Sequence, residues 1–293
     1  MWLIRKRLQL ITDLFIFFAI IFAFPLTPWA GEGESGVKHE AEKEPAYYLY
    51  TAIDRIGFIK KEALTPSGFI FKVKDDKEMI CQSDLVYLKQ NDKSASPFMP
   101  GSRYFVYRTL KPIRDKNTKA YIGIQHYLTG VVEITKTEPA FAIAKVVKSY
   151  CNIKLNDLLT PYQQRSPKII LTESKKDLYG KIIISEEHTE IAGDSSIAFI
   201  DRGDNDGIRP GQIYSIYEQE KKQSDPQTGA EIIFPPVDYG ALLVLHTEPT
   251  TATVLITGAQ REIRAGATIR TPEQGAGIRG RGAGNYSVNP LAS

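Results

Sequence analysis

The sequence predicts a mainly β protein: two tandem, duplicated small β-barrel-like domains that follow an N-terminal signal or anchor helix. Three observations predict this fold class, namely a long internal repeat, short apolar runs bounded by turn residues, and an apolar N-terminal segment. The repeat consists of motifs about 110 positions apart, which are Pro100-Gly101 with Pro210-Gly211, Gly130 with Gly240, and Thr137-Glu138-Pro139 with Thr247-Glu248-Pro249. A period of this length indicates a duplicated domain and not a solenoid of short repeats.

The repeat and the local composition divide the chain into six segments. They are a signal peptide or membrane anchor (1–30), a polar linker (31–49), the first β-domain (50–161), a second linker (162–172), the second β-domain (173–272) and a Gly-rich flexible tail (273–293). The polar linker and the tail contain too few large apolar residues to bury a core of their own.

The N-terminal segment predicts export. Arg5-Lys6-Arg7 precedes the apolar residues 14–24, and Pro28-Trp29-Ala30 follows them, which is the order of a secretory signal peptide. A retained membrane anchor is the alternative, because residues 8–26 are nearly long enough to span a bilayer. Both alternatives place the folded part of the protein outside the cytoplasm. Mass spectrometry of the N-terminus distinguishes them, since cleavage gives a mature start near Gly31.

Short strands are predicted in order along each copy. Runs of β-branched and aromatic residues separated by Asp, Gly and Pro are typical of an all-β barrel or sandwich. In the first copy the runs are 56–59, 68–73, 84–88 and 104–108, and in the second they are 179–184, 198–200, 214–218, 240–245 and 251–256. We align residues 179–184 with residues 56–59, so that the repeats start near residues 50 and 173.

Turn residues connect these strands. They lie at residues 115–119 in the first copy and at 201–207 and 225–229 in the second. Asp, Asn, Gly and Pro there tolerate the backbone angles of turns or bond their own backbone. Glu138 and Glu248 recur beside proline at equivalent hairpins, which indicates a role in folding and not in acid–base chemistry.

Composition excludes one class of partner. The 293 residues include 37 basic and 34 acidic ones, interspersed through both copies, for a net charge of +3. So small an excess gives no electrostatic footprint for nucleic acid, and we predict no nucleic-acid partner. With 42% hydrophobic and 24% charged residues, the chain has the balance of a globular protein.

No catalytic, cofactor or metal motif is found, so we predict that the protein is not an enzyme. The sequence contains neither a Gly-x-Ser-x-Gly elbow nor a phosphate-binding loop of the Walker type. The glycines at 275, 277 and 280 have the spacing of a dinucleotide-binding motif. That motif also requires a helix after the glycines and an acidic residue about twenty positions further on, and neither follows here. Asp204-Asn205-Asp206-Gly207 reads as a β-turn, because Arg202 and Ile213 would occupy ligand positions of a calcium loop. The histidines lack metal-ligand spacing; they are His39, His126, His188 and His246.

Two cysteines, Cys81 and Cys151, are the only ones in the chain. After export they could form a disulfide. The alternative is two free thiols that pack as small hydrophobic groups. Sequence alone does not decide between them, because it does not give the distance between the two residues.

A partner contact is predicted at Phe234, Asp238 and Tyr239. Functional differences between two copies of one fold are expected in their loops. The second copy carries Pro235-Pro236 there, which excludes an interior strand and can turn Phe234 outward. The alternative is that Phe234 covers the end of its own barrel. The strand tyrosines Tyr104, Tyr107, Tyr214 and Tyr217 are predicted to pack in the core, with a carbohydrate platform as the alternative.

Residues 199–211 (Phe-Ile-Asp-Arg-Gly-Asp-Asn-Asp-Gly-Ile-Arg-Pro-Gly) and 214–218 resemble a bacterial envelope module. They are similar to the C-terminal β-domain of flagellar assembly protein T. They are also similar to the tandem β-domains that follow a LysM motif in exported peptidoglycan-binding proteins of Gram-negative bacteria. The resemblance covers most of residues 50–272 and implies a location in the periplasm or on the periplasmic face of the inner membrane. Residues 31–49 contain no LysM repeat, so the resemblance implies no glycan-binding residues.

Together these observations predict a non-enzymatic, exported cell-envelope module that binds or scaffolds an envelope protein or peptidoglycan, with residues 1–30 as its membrane tether if they are retained. Two alternatives stay open. One is a cell-wall-acting hydrolase whose site is assembled from residues distant in sequence. The other is an accessory part of a flagellar or polysaccharide export machine. A deep pocket with converging histidines and carboxylates would favour the hydrolase, whereas two barrels with filled interiors would favour the module.

Overall fold

The computed structural model describes residues 45–91, 97–220, 223–224, 231–232, 234–273 and 286–287. All of them belong to one compact unit that begins at Glu44. The predicted signal or anchor (1–30), the first part of the polar linker, the turn at 225–229 and most of the tail lie outside the described residues. Within the described part of the chain, no helix has the length and apolarity needed to cross a membrane.

Strands make up nearly all of the regular structure. Those of the first half are β1 (Tyr47–Leu49), β2 (Phe58–Lys60), β3 (Gly68–Val73), β4 (Leu85–Gln90), β5 (Arg103–Thr109), β6 (Ile113–Arg114), β7 (Tyr121–Thr137), β8 (Ala142–Ser149), β9 (Leu158–Pro161) and β10 (Lys168–Ile170). Those of the second half are β11 (Tyr179–Ser185), β12 (Ile191–Ala192), β13 (Ile197–Ile200), β14 (Ile213–Glu218), β15 (Gln223–Ser224), β16 (Glu231–Ile232), β17 (Val237–Thr247), β18 (Ala252–Ala259), β19 (Ile263–Arg264), β20 (Thr268–Arg270) and β21 (Tyr286–Ser287). Single turns of 3₁₀ helix lie at Ile53–Arg55, Lys74–Asp76 and Asp204–Asp206.

Six strands close each of two barrels, and the sequence predicts two such barrel-like domains. The first barrel runs β3-β4-β8-β7-β5-β9 and closes through the pairing of β9 with β3. The second runs β11-β13-β18-β17-β14-β20 and closes through the pairing of β20 with β11. The strand order is the same in both, so the mainly β, two-barrel architecture is confirmed. Closure pairs the backbone of every barrel strand on both sides and leaves no open sheet edge.

The repeat is also visible in the strand register. Val106 pairs with Gly130 in the first barrel, and Ile216 pairs with Gly240 in the second. A register shift follows in both barrels, at Val106/Tyr107 and at Ile216/Tyr217. A β-bulge inserted at the same place in both copies indicates that the duplication preserved backbone geometry as well as apolar pattern.

One alignment made from the sequence is wrong. Residues 179–184 do not correspond to residues 56–59, because β11 takes the place of β3 in the strand order. Gly68 of β3 pairs with Leu159, and Gly180 of β11 pairs with the equivalent Ile269. Strand β2, which contains Phe58 and Ile59, lies outside the ring and pairs with the outer part of β7. Residues 56–59 and residues 68–73 are both apolar runs that contain glycine, so either run can be aligned with residues 179–184 from sequence alone. Only the strand with which each run pairs distinguishes the two alignments.

Both barrel interiors are filled by side chains. Inward-pointing residues of the first barrel form a single apolar cluster that includes Ile70, Leu88, Val106 and Leu159, all completely buried. The second barrel has an equivalent cluster around Tyr214 and other inward-pointing residues. Six-stranded barrels of this size leave room for side chains and not for a ligand. Any binding therefore takes place on the outer surfaces.

Strand β2 and the β6–β7 hairpin join the barrels. One edge of β2 pairs with β7, where Phe58 lies opposite His126. Two carbonyl oxygens of the same segment accept hydrogen bonds from hydroxyls of the second barrel: Thr253 Oγ1 donates to Gly57 O and Thr251 Oγ1 to Ile59 O, both over 2.8 Å. Side-chain hydroxyls thus satisfy the second edge of a buried strand, which would otherwise lose its hydrogen bonds to water.

Two short strands from the chain ends meet the linker between the barrels. Strand β1 pairs with β10 on one side, with Tyr47 opposite Ile170, and with β21 on the other, with Tyr48 opposite Tyr286. Ile53, Ile56 and Ile169 from these segments pack against the outside of the second barrel. The N-terminal segment and the linker therefore cover one wall of that barrel.

Candidate functional site

The three residues predicted to contact a partner line one surface pocket. Phe234, Asp238 and Tyr239 lie around an open cavity of about 530 Å³ beside strands β14 and β17. Phe234 is half-buried, and its carbonyl oxygen accepts a hydrogen bond from Gln219 Nε2 over 3.0 Å. Val237, in the same pocket, is 64% exposed. The structure thus brings together the residues that the sequence singled out, and it adds an exposed apolar neighbour.

Two arginines organise the polar side of this pocket. The Arg261 guanidinium lies 3.9 Å from the centre of the Tyr239 ring and forms an ion pair with Glu218. Burial raises the pKa of the Tyr239 hydroxyl, and the Arg261 charge lowers it in part. Asp238 accepts a hydrogen bond from Arg270 Nε over 2.9 Å. The aromatic ring and the carboxylate are therefore held in fixed positions, which reduces the entropy lost when a partner binds.

The turn at residues 201–207 has a structural role. Its Gly207 adopts φ 82°, a conformation that glycine accommodates without strain. The backbone N–H of Asp204 donates to Glu248 O over 2.9 Å, so the turn is attached to the Thr-Glu-Pro hairpin. Asp204 Oδ1 accepts from Arg209 and Thr247, and Asp206 Oδ2 accepts from the Gly203 N–H. The carboxylates that suggested a calcium loop are engaged in holding the turn.

A second concave region, which sequence analysis missed, lies where the two barrels meet. This cleft of about 660 Å³ is lined by apolar side chains, among them Phe58 and Phe105, and by Lys60, His246 and Glu248. Glu248 is 3.1 Å from His246 Nε2 and 3.4 Å from Lys60 Nζ. The cleft could bind an anionic or aromatic group. Its residues are far apart in sequence, and no motif joins them.

The His246–Glu248 pair has a counterpart in the first barrel. Lys136 Nζ lies 2.6 Å from Glu138 Oε1 at the equivalent hairpin. In both copies, therefore, a basic side chain contacts a glutamate two residues further along the same strand end. This recurrence favours a role in stabilising the hairpin, as the sequence pattern indicates.

The remaining histidines of the described chain lie at the interface between the barrels. His126 is completely buried and stacks on Phe58 at 4.9 Å, and its Nε2 accepts the Leu64 N–H over 3.0 Å. Burial lowers the pKa of the His126 imidazole. His188 Nε2 is 2.6 Å from Gln125 Oε1, across the same interface. Among the described residues, no three His, Cys, Asp or Glu side chains are arranged to hold a metal ion.

Glu186 is a carboxylate buried between the barrels. It is 7% exposed, and its Oε1 accepts the Gly57 N–H over 2.5 Å. Burial raises the pKa of the Glu186 carboxyl, while the Gly57 hydrogen bond and Arg55 act in the opposite direction. The Glu186 carboxyl therefore binds its proton more tightly in the folded protein than in the unfolded chain.

We expect Glu186→Gln to change how stability depends on pH. A carboxyl with a raised folded-state pKa binds more protons in the folded than in the unfolded protein, so the free energy of unfolding falls as pH rises above the unfolded value. Glutamine removes this titration but keeps an oxygen acceptor for Gly57. In urea unfolding between about pH 4 and pH 8, the variant should gain stability relative to wild type as pH increases. A Glu186→Gln curve that runs parallel to the wild-type curve over this pH range would contradict this account.

Both cysteines are free thiols in the structure. Cys81 is exposed, whereas Cys151 is half-buried, and burial raises the pKa of the Cys151 thiol. Their neighbours Ile80 and Ile153 pair as an isolated β-bridge, so the two chain segments run side by side. A disulfide between Cys81 and Cys151 stays a prediction. Gel mobility of the exported protein with and without reductant would test it.

Searches of the sequence against protein-family models and against curated proteins find no match. The similarity to envelope modules therefore rests on the motifs at residues 199–211 and 214–218. It stays a prediction, and the residues of the pocket and the cleft carry the functional argument.

Proposed function

We propose that the protein is a non-enzymatic, exported cell-envelope module that works by binding an envelope protein. The observation that carries this proposal is the filling of both barrel interiors, which leaves only outer surfaces for binding. Proteins of the periplasm or cell wall are the partners that export makes available.

The pocket around Phe234, Asp238 and Tyr239 is the surface that best supports this function. Aromatic and arginine side chains contribute most to binding at protein interfaces, and here Tyr239 and Arg261 are stacked in advance. Exposed Val237 and Pro235 extend the apolar part of the pocket. A protein partner fits this combination of apolar area and fixed charges better than a glycan chain, which would require flat, exposed rings.

Alanine substitution tests the proposal. Full-length protein with an affinity tag should retain a partner from the detergent-solubilised envelope fraction, and Phe234→Ala/Tyr239→Ala should abolish the retention. Tyr179→Ala is the matched control, because Tyr179 is 59% exposed on the same barrel but outside the pocket. Circular dichroism should be unchanged in all variants. Equal retention by wild type and the double variant would refute the proposed surface.

A cell-wall hydrolase is the second candidate, and the cleft with Lys60, His246 and Glu248 is the observation that favours it. A histidine and a carboxylate within hydrogen-bonding distance can transfer protons in hydrolysis. If this candidate is right, purified peptidoglycan is degraded by the wild-type protein and not by Glu248→Gln. If the binding function is right, neither protein releases soluble fragments.

A further inference from the structure

The cleft between the barrels contains a charged side chain that neither function described above uses. Arg165 lies between β9 and β10, is half-buried and lines the cleft. Its Nη1 donates to two backbone carbonyl oxygens, Ile56 O over 3.0 Å and Ile53 O over 3.3 Å. These hydrogen bonds hold one end of the guanidinium at the wall of the cleft.

The rest of Arg165 is also held in place. Its Cζ atom lies 5.8 Å from the centre of the Phe105 ring, and the Phe105 side chain is almost completely buried. The Arg165 backbone N–H donates to Asp54 Oδ1 over 3.3 Å. A guanidinium that is fixed in this way loses little further freedom when it binds a ligand.

The Arg165 guanidinium has no counterion in the described part of the chain. No carboxylate oxygen there lies within 4.0 Å of it, and its Nε and Nη2 make no hydrogen bond to a described residue. Asp54 is engaged elsewhere, because its Oδ2 accepts hydrogen bonds from Lys148 Nζ and Tyr162 OH, both over 2.9 Å. The donors of Nε and Nη2 are therefore available to a ligand.

Two other half-buried arginines show what is different about Arg165. Arg108 lies 2.8 Å from Asp157, and Arg270 lies 2.8 Å from Asp238. Hydrogen bonding to Asp157 raises the pKa of Arg108, whereas burial lowers the pKa of the Arg165 guanidinium. A partly desolvated charge without a counterion is unfavourable, so an anion from outside the protein would stabilise Arg165.

The other residues of the cleft determine which anion fits. Three basic side chains and one carboxylate line it, which gives an excess of positive charge; they are Lys60, Arg165, Lys168 and Glu248. The apolar part of the cleft comes from both barrels and includes Phe58, Phe105 and Leu245. A volume of about 660 Å³ is in the range of small-molecule sites. An anion with an apolar or aromatic body would contact both parts.

We propose that the cleft binds a small molecule that carries a carboxylate or a phosphate on an apolar or aromatic group. Either oxyanion can accept two parallel hydrogen bonds from Nε and Nη2 of Arg165. The apolar group packs against the apolar part of the cleft. Such a ligand contacts both barrels and the segment between them, so it stabilises the folded protein. This site is independent of the envelope contact in the pocket of the second barrel.

Calorimetric titration of the full-length protein with four probes tests the proposal. Phenylacetate supplies a carboxylate and phenyl phosphate a phosphate, each with an aromatic ring; inorganic phosphate lacks the ring, and benzyl alcohol lacks the charge. We expect at least one of the two charged aromatic probes to bind with a Kd of about 1 mM or tighter. Inorganic phosphate and benzyl alcohol should each bind at least about 10-fold more weakly, because each contacts only one part of the cleft. The tighter of the two charged aromatic probes identifies the preferred oxyanion.

Two variants examine the role of Arg165. Arg165→Lys keeps the charge but not the two parallel donors, so it should weaken binding of the preferred probe at least about 10-fold. Because Arg165 also holds two backbone carbonyls, a second variant leaves it intact. Gln164→Glu adds a carboxylate at an exposed position of the cleft and should weaken binding by a similar factor. Gln82→Glu makes the same change at an exposed position outside the cleft and should bind as wild type does.

Several results would overturn the proposal. They are no binding of either charged aromatic probe by wild type, equally tight binding of benzyl alcohol or inorganic phosphate, and unchanged binding by folded Gln164→Glu. An equal loss of affinity in Gln82→Glu would also overturn it, because the effect would then not depend on the cleft. Phe234→Ala/Tyr239→Ala should bind the probes with wild-type affinity, which separates this result from a failure of the envelope contact.

Discussion

Gly211→Ala is expected to destabilise the protein by about 3 kcal/mol or more, the largest effect that we predict for a single methyl group. Gly211 adopts φ 91°, where an L-residue costs about 1–2 kcal/mol. In addition, a Cβ atom there would collide with the carbonyl oxygen of Ile170 in the linker strand. A backbone atom cannot turn away as a side chain can, so the linker would have to move.

The repeat provides the matched control. Gly101 is the equivalent glycine of the first barrel, with φ 84°, and a Cβ atom at that position meets nothing within 4 Å. Gly101→Ala should therefore lower the free energy of unfolding only by the cost of placing an L-residue at positive φ, about 1–2 kcal/mol. Urea unfolding of both variants measures the difference. Equal losses would show that Ile170 does not lie against Gly211 in solution.

Asp157→Ala is expected to cost about 3–5 kcal/mol, the range for breaking a buried ion pair on one side. The Asp157 side chain is 5% exposed and accepts hydrogen bonds from Arg108 Nε (3.0 Å) and Nη2 (2.8 Å). Thr129 Oγ1 and the Lys154 N–H donate to the same carboxylate. Its removal leaves a partly buried guanidinium and two other donors without their acceptor.

Arg103 and Glu133 form the control pair, in the same barrel. The Arg103 side chain is 53% exposed and lies 2.7 Å from Glu133, so water already solvates much of the pair. Glu133→Ala should cost no more than about 1 kcal/mol. Thermal and urea unfolding would both report the contrast. A loss in Asp157→Ala as small as that in Glu133→Ala would contradict the assigned network.

The two-barrel architecture could be predicted from the sequence because the duplication is recorded at equivalent positions of paired strands. Gly130 and Gly240, for example, lie at the same bulge of equivalent strands. The alignment failed at residues 179–184, where two apolar runs with glycine look alike and only strand pairing distinguishes them. The alternation of apolar and polar residues predicts which face of a strand is buried, but it does not predict which strand pairs with it.

The candidate site was predictable only in part, for a related reason. Phe234, Asp238 and Tyr239 are close in sequence, and a proline pair marks the loop that carries Phe234, whereas Asp238 and Tyr239 lie in strand β17. Arg261, which stacks on Tyr239, follows β18, the strand that pairs with the strand of Tyr239. The cleft likewise brings Lys60 and Glu248 together from opposite ends of the chain. Contacts of this kind depend on how the strands of each barrel pair and on how the two barrels pack together. The residues involved are not at a fixed spacing in the sequence, so no motif predicts them.

In-cell photocross-linking tests the central claim most directly, because it maps where the protein meets its partner. A photoreactive residue at Val237 probes the pocket, and one at Gln164 probes the cleft; both positions are exposed. We predict an adduct with an envelope protein other than this chain from position 237 and none from position 164. An adduct from position 164 alone, or no such adduct from position 237, would contradict the claim that the protein works through the pocket of its second barrel.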